Sequence, residues 1–155
     1  LCGRQRFGCI ILGAPGSGKT TALRDMIRLF SERGYRVGVA DERGEISGDG
    51  EFDLGPCSDV ITGLSKAESA MLLLRGMNPQ IIAMDEITQS ADADAIRELC
   101  CCGVELLATA HARNADELRQ RRVFAELLDT GAFKYALSIR GAGSARSYEL
   151  ERLYV

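Results

Sequence analysis

The most restrictive feature of this chain is the octapeptide Gly13-Ala14-Pro15-Gly16-Ser17-Gly18-Lys19-Thr20. It matches the pattern G-x-x-x-x-G-K-[ST] in full, and its flanks are those the pattern requires. Before it, Phe7 to Leu12 is a short apolar run that reads as a buried strand. After it, Leu23, Met26, Ile27 and Phe30 recur at i, i+3, i+4 and i+7, predicting a helix that Gly34 closes in the left-handed conformation. A glycine-rich turn from strand into helix gathers backbone N–H groups and the unpaired donors of the first helical turn into one concavity, an anion site that glycines let phosphates approach closely. Lys19 is then expected to reach the β- and γ-phosphates of ATP, and the Thr20 hydroxyl to ligate Mg²⁺. Gly13 through Thr20, with Thr21 in the first turn, form the expected nucleotide-binding set.

The remainder alternates strands with helices. Arg36 to Ala40 reads as a strand, and Asp41 to Gly63, rich in Gly, Asp and Pro, as mostly loop. Ser65 with Glu68 is a capping box opening a helix whose apolar stripe is Ala67, Ala70, Met71 and Leu74, with Pro79 ending the segment. Ile81 to Met84 is a buried strand. Asp92 and Asp94 favour the positive end of the next helix, whose buried side is read as Ala95, Ile96, Leu99 and Cys102, with Gly103 as its stop. Val104 to Ala110 is another strand, and Asn114 with Glu117 opens a helix to about Asp129. Lys134 to Arg140 and Ser147 to Tyr154 flank Gly141-Ala142-Gly143-Ser144 as a β-hairpin. This order predicts an α/β fold with a mainly parallel sheet, helices on both faces and a C-terminal β-hairpin.

Ile81 to Met84 is followed by Asp85-Glu86, two carboxylates at the strand edge where parallel sheets place their ligands. Asp85 is suited to Mg²⁺ beside Thr20, and Glu86 to polarising the water that attacks the γ-phosphate. A Glu in that place favours a hydrolase over a kinase, in which an acceptor replaces water. His111, the only histidine, ends the strand expected beside the acidic one, where it either reads the γ-phosphate or serves the structure. Asp41-Glu42-Arg43-Gly44-Glu45 reaches the same edge, as part of the site or as a charged turn. Arg75, Arg113 and Arg140 are either charge stabilisers, one of them acting on a neighbour's nucleotide, or solvated ion pairs.

With 155 residues and 46% apolar composition, one domain can bury a core without disulfides or metal. The net charge of −3 excludes a simple basic nucleic-acid sponge, and no nucleic-acid partner is expected. Only three lysines stand beside sixteen arginines, so the position of Lys19 is informative. No pair among the six cysteines has zinc-ligand spacing, and Cys100-Cys101-Cys102 point about 100° apart on a helix. They read as reduced, small apolar side chains in a reducing cytosol. No apolar run is long enough to span a membrane. A chain that starts at Leu1 and reaches strand-like sequence by Phe7 reads as the C-terminal part of a longer protein.

Together, the phosphate loop, Asp41 to Ile46, Lys66-Ala67-Glu68, Leu74 to Pro79, Ile81 to Ile87 and Gly103 through His111 resemble the ATPase domain of the stage III sporulation protein AA family, related to the traffic ATPases of type II and type IV secretion. The resemblance implies a RecA-like P-loop NTPase of the ASCE type across residues 1–155, working as a homo-hexamer. It also implies an acidic box at Asp41 to Glu45 that includes Glu42, a histidine box at His111, and Arg75 near the nucleotide. An N-terminal domain would complete the site, and the ATPase would serve a membrane channel on the mother-cell side, in the cytoplasm. The chain departs from the family pattern at Gly44 and Gly76, where Ser is common, and at Ser69, where Gly is. Two other readings are a nucleotide or small-metabolite kinase and a nucleotide-gated assembly module with little turnover.

Overall fold

The computed structural model describes residues 7–153. The strands are β1 (Cys9–Gly13), β2 (Val37–Asp41), β3 (Ser58–Thr62), β4 (Ile81–Met84), β5 (Glu105–Ala110), β6 (Tyr135–Arg140) and β7 (Ser147–Arg152). The helices are α1 (Lys19–Glu32), α2 (Lys66–Met77), α3 (Ser90–Cys101), α4 (Ala115–Arg119) and α5 (Arg122–Asp129). One seven-stranded sheet runs in the order β3-β2-β4-β5-β1-β6-β7. Every neighbouring pair is parallel except β6 with β7. Helix α1 covers one face, and α2, α3, α4 and α5 the other.

The apolar strands are buried on both faces, which is why they read as continuous runs. Ile10, Leu12, Ile82, Met84, Leu106 and Ala108 face α2, α3 and α5, while Cys9, Ile11, Val37, Val39, Ile81 and Leu107 face α1. Leu23 and Ile27 are the fully buried apolar positions of α1. Phe30 lies beside them, its ring 4.9 Å from that of Phe7. Gly34, at φ 86°, ends the turn after α1. The Ser65–Glu68 capping box forms at the start of α2, where Leu73, outside the expected stripe, is the deepest leucine.

Two readings need correction, the unbroken helix from Asn114 and the burial of Cys102, and two others, the Asp41 to Gly63 loop and the hairpin turn, are refined. The Asp41 to Gly63 stretch contains a strand, β3, whose exposed edge position removes the apolar alternation that marks strands. The helix from Asn114 breaks at Gln120-Arg121 into α4 and α5. Unbroken, it would carry the Ala115/Leu118 face onto Arg122 and turn Phe124 away, whereas the break buries Leu118, Phe124 and Leu127 together. Cys102 caps α3 and is exposed, and Cys100 takes the buried place. The turn between β6 and β7 spans Gly141 to Arg146, with a 3₁₀ turn at Gly143–Ala145. Tyr154, placed in the second hairpin strand, lies outside the described residues.

Burial divides the thiols by reactivity. Cys9 is 4% exposed and desolvation pushes its pKa up to about 12, whereas Cys101 and Cys102 are exposed. Iodoacetamide at pH 8, followed by peptide mass mapping, is expected to alkylate Cys101 and Cys102 and to spare Cys9 until the protein is unfolded.

Candidate nucleotide site

Register alone brings the candidate residues to one edge. Ile10 pairs with Ala108, Ala108 with Met84 and Met84 with Ala40. One step along, Asp85, Thr109 and Asp41 stand in a row, and a step or two further lie Glu86, His111, Glu42 and the Gly13 loop. Strand β5 sits between the strand of the phosphate loop and the acidic strand, so what β5 carries at its end stands between the two.

The loop is built as an anion cradle. Gly16 and Gly18 adopt φ values of 74° and 98°, which side chains resist. A Cβ on Gly13 would lie 2.3 Å from Ser17 Oγ, so the strand end must be glycine for the loop to fold back on it. No side chain caps α1 and no acidic residue occupies its first turn, which leaves the N–H groups of Gly18 to Thr21 without intrahelical partners. Ser17 Oγ is buried without a hydrogen-bond partner among the described residues. A phosphate group fits this set of donors.

Lys19 is 7% exposed. Its ammonium donates to the Ala14 carbonyl at 2.8 Å and to His111 Nδ1 at 3.2 Å. Burial holds its pKa below the ordinary lysine range, against the opposing pull of Asp85 and Glu86. Because the ammonium can only donate, Nδ1 of His111 must be the accepting nitrogen, and the ring proton lies on Nε2. Nε2 then donates to Glu86 Oε1, 2.9 Å away. One neutral imidazole thus bridges the loop lysine and the proposed base.

The Thr20 hydroxyl donates to Asp85 Oδ2 at 2.9 Å. The other carboxylate oxygen, Oδ1, accepts from Thr109 Oγ1, and the same hydroxyl oxygen accepts from the Glu86 N–H at 2.8 Å. Glu86 is held at φ 45°, an uncommon conformation for a residue with a side chain. Thr20 and Asp85 offer adjacent hard oxygen donors, which suits Mg²⁺. Among the described residues no group of three or more His, Cys, Asp or Glu could hold a metal alone. That is compatible with an ion that takes its remaining ligands from phosphates and water.

Of the acidic box, Asp41 is 1% exposed and its carboxylate accepts from Ile46 N, Ser47 N and Ser47 Oγ at 2.7–3.0 Å. Its role is to fold the following loop. Glu42 opens instead onto a small cleft shared with Asp85 and Glu86, where Lys66 Nζ lies 3.3 Å from it and 3.6 Å from the buried Asp92. Arg43, largely exposed, stands 3.9 Å from Glu86.

The arginine candidates fare differently. Arg75 is placed away from the site: it follows Lys66 by nine residues on α2, about 13 Å at 1.5 Å per residue. Just beyond it, Asn78 and Gln80 bond Arg36 at the opposite end of β2. Arg113 and Arg140 lie near the loop but pair with Glu117 at 3.0 Å and Glu149 at 2.9 Å. Thr109, Lys66 and Arg146 were not read as site residues from sequence. Thr109 carried a signal, being the only hydroxyl in the otherwise apolar run Leu106 to Ala110.

A family model described as "Sporulation stage III, protein AA" matches residues 1–147. Stage III sporulation protein AA of Bacillus subtilis (strain 168) is 34% identical over 142 residues, covering 86% of this chain and 46% of that protein. The VirB11 ATPase of the Brucella suis type IV secretion system, solved with sulphate, superposes with a TM-score of 0.71 at 15% identity, over 95% of this chain and 48% of that one. The pilus retraction motor PilT with bound ADP does so with a TM-score of 0.69 at 19% identity, over 96% and 48%. The chain thus has the RecA-like fold of the secretion ATPases and spans less than half the length of each of these relatives. It belongs to the sporulation stage III protein AA family.

Proposed function

We propose that this chain binds Mg-ATP and hydrolyses it, as the RecA-like unit of a secretion-type traffic ATPase that energises a channel between mother cell and forespore. The observation that carries this reading is the Thr20–Asp85 hydrogen bond at 2.9 Å, with Glu86 next in sequence and facing the same edge. The loop N–H groups and Lys19 hold the triphosphate, Thr20 and Asp85 hold Mg²⁺, and Glu86 takes the proton of the attacking water. When bound, Mg²⁺ neutralises charge on the phosphates. Glu42 faces the same cleft as a second carboxylate able to order water, and His111 couples Lys19 to Glu86. The reading includes secretion partners, a homo-hexamer and a position on the cytoplasmic, mother-cell side of the membrane, and it is supported by the family to which the chain belongs. No helix among the described residues is long and apolar enough to cross a membrane.

The test is made on the full-length protein, comparing phosphate release to water with transfer to a panel of nucleoside and small-metabolite acceptors, with Mg²⁺ and with excess EDTA. Mg²⁺-dependent release to water is expected. Transfer to an acceptor in its place would make the protein a kinase, and tight binding without turnover would make it a nucleotide-gated module.

A further inference from the structure

We infer that Arg146, on the β6–β7 connection, is a phosphate-binding residue acting in cis, a second cation of the loop beside Lys19. The inference rests on the reading of Gly13 to Thr20 as a nucleoside polyphosphate site and adds a residue to it. Its guanidinium lies against Gly18: a Cβ built there would be 3.1 Å from both Cζ and Nη1 of Arg146. Gly18 is the N-cap of α1, where N–H groups without partners concentrate positive potential. A cation set against a helix N-terminus is unfavourable unless an anion joins them.

The other side of the contact is equally unsatisfied. Nε of Arg146 is buried and has no hydrogen-bond partner, and no carboxylate pairs with this arginine, among the described residues. By contrast Arg113 and Arg140, also near the loop, each have a carboxylate. Three buried side-chain polar atoms without partners occur among the described residues, and two of them, Ser17 Oγ and Arg146 Nε, bracket the loop. Buried donors left unpaired are costly, and here one sits against Gly13 and the other belongs to the side chain against Gly18, the two ends of the loop where acceptor oxygens would lie.

The fold carries Arg146 there deliberately. Strand β6 lies beside β1 with Gly13 opposite Ile139, so the chain leaves β6 at the mouth of the loop. Gly141, at φ 78°, makes the return possible, since a Cβ there would sit 2.5 Å from the Ala145 carbonyl oxygen. The turn that follows, closed by Arg146 N–H to Gly143 O at 3.3 Å, sets the side chain over Gly18. A planar guanidinium with several donors suits non-bridging phosphate oxygens better than a lysine would.

The test is calorimetry on the full-length protein with Mg-ATP, Mg-ADP and Mg-tripolyphosphate, using the parent, Arg146→Ala, Arg146→Lys and Lys19→Ala. Arg146→Ala is expected to weaken all three ligands by about ten- to hundredfold, and Arg146→Lys to recover part of the loss. The unliganded melting temperature of Arg146→Ala should not fall, because among the described residues its side chain has no hydrogen-bonding or ionic partner to lose. Should Arg146→Ala fail to fold, Arg146→Gln carries the comparison, with a loss of at least about fivefold expected. Affinities within twofold of the parent would overturn the inference. A loss confined to ATP and ADP, with tripolyphosphate unchanged, would overturn it too, placing the guanidinium on base or ribose. If Lys19→Ala abolishes binding while Arg146→Ala leaves it intact, only this inference fails. If the parent binds none of the three ligands, the loop reading fails with it.

Discussion

Replacing Lys19 by Ala is expected to cost ATP affinity about 2–5 kcal/mol, roughly thirty- to several-thousand-fold, measured by calorimetry against the parent. The reason is the desolvated setting of the ammonium. It is 7% exposed and among the described residues hydrogen-bonds only Ala14 O and His111 Nδ1, so it meets phosphate without first shedding a large hydration shell. The same burial gives a pH signature. Its pKa lies below the ordinary lysine range because desolvation outweighs the attraction of Asp85 and Glu86. ATP binding needs the charged form. Affinity should therefore fall as pH rises through that lowered pKa, at less alkaline pH than an ordinary lysine would set. An alanine variant that binds ATP as tightly as the parent would remove Lys19 from the site.

Glu86→Gln is expected to keep ATP affinity within about threefold and to lower turnover by about 10²–10⁴-fold, the usual contribution of a positioned general base. The amide preserves shape and can still accept from His111 Nε2, the contact that spans 2.9 Å here. The backbone conformation is held independently, through Glu86 N–H to Thr109 Oγ1. What is lost is the capacity to take a proton from water. Single-turnover ATP hydrolysis separates the outcomes: hydrolysis at the parent rate would sink the assignment of Glu86 as base and leave Glu42, across the same cleft, as the remaining carboxylate.

Much of the architecture was legible because its determinants are local. The run Ile81 to Met84 names a buried strand, the Ser65–Glu68 pair names a helix start, and Gly34 and Gly103 take the positive φ that ends helices. What escaped was set by neighbours. Strand β3 is exposed at most of its positions and owes its place to pairing with β2. The break between α4 and α5 follows from which residues the sheet can cover. Asp41 and Glu42 look equivalent in sequence, yet one closes its own loop and the other opens to the cleft. Arg75 was assigned to the nucleotide by resemblance, but helix α2 runs away from the site and carries it to the other edge of the sheet.

The sequence by itself determined the glycine-rich loop proposed to hold phosphate, because its donors, its positive-φ glycines and the start of α1 are contiguous within Gly13 to Thr21. Local chemistry of that kind needs no distant partner. Only the tertiary structure decided which groups meet that loop. The bonds Thr20–Asp85, Thr109–Asp85 and Lys19–His111 join residues 65, 24 and 92 positions apart. The approach of Arg146 to Gly18 is likewise made by a hairpin at the far end of the chain. These contacts depend on β5 lying between β1 and β4, and on β6 lying beside β1. Strand order is selected by burying both faces of the whole sheet at once, which no single segment encodes.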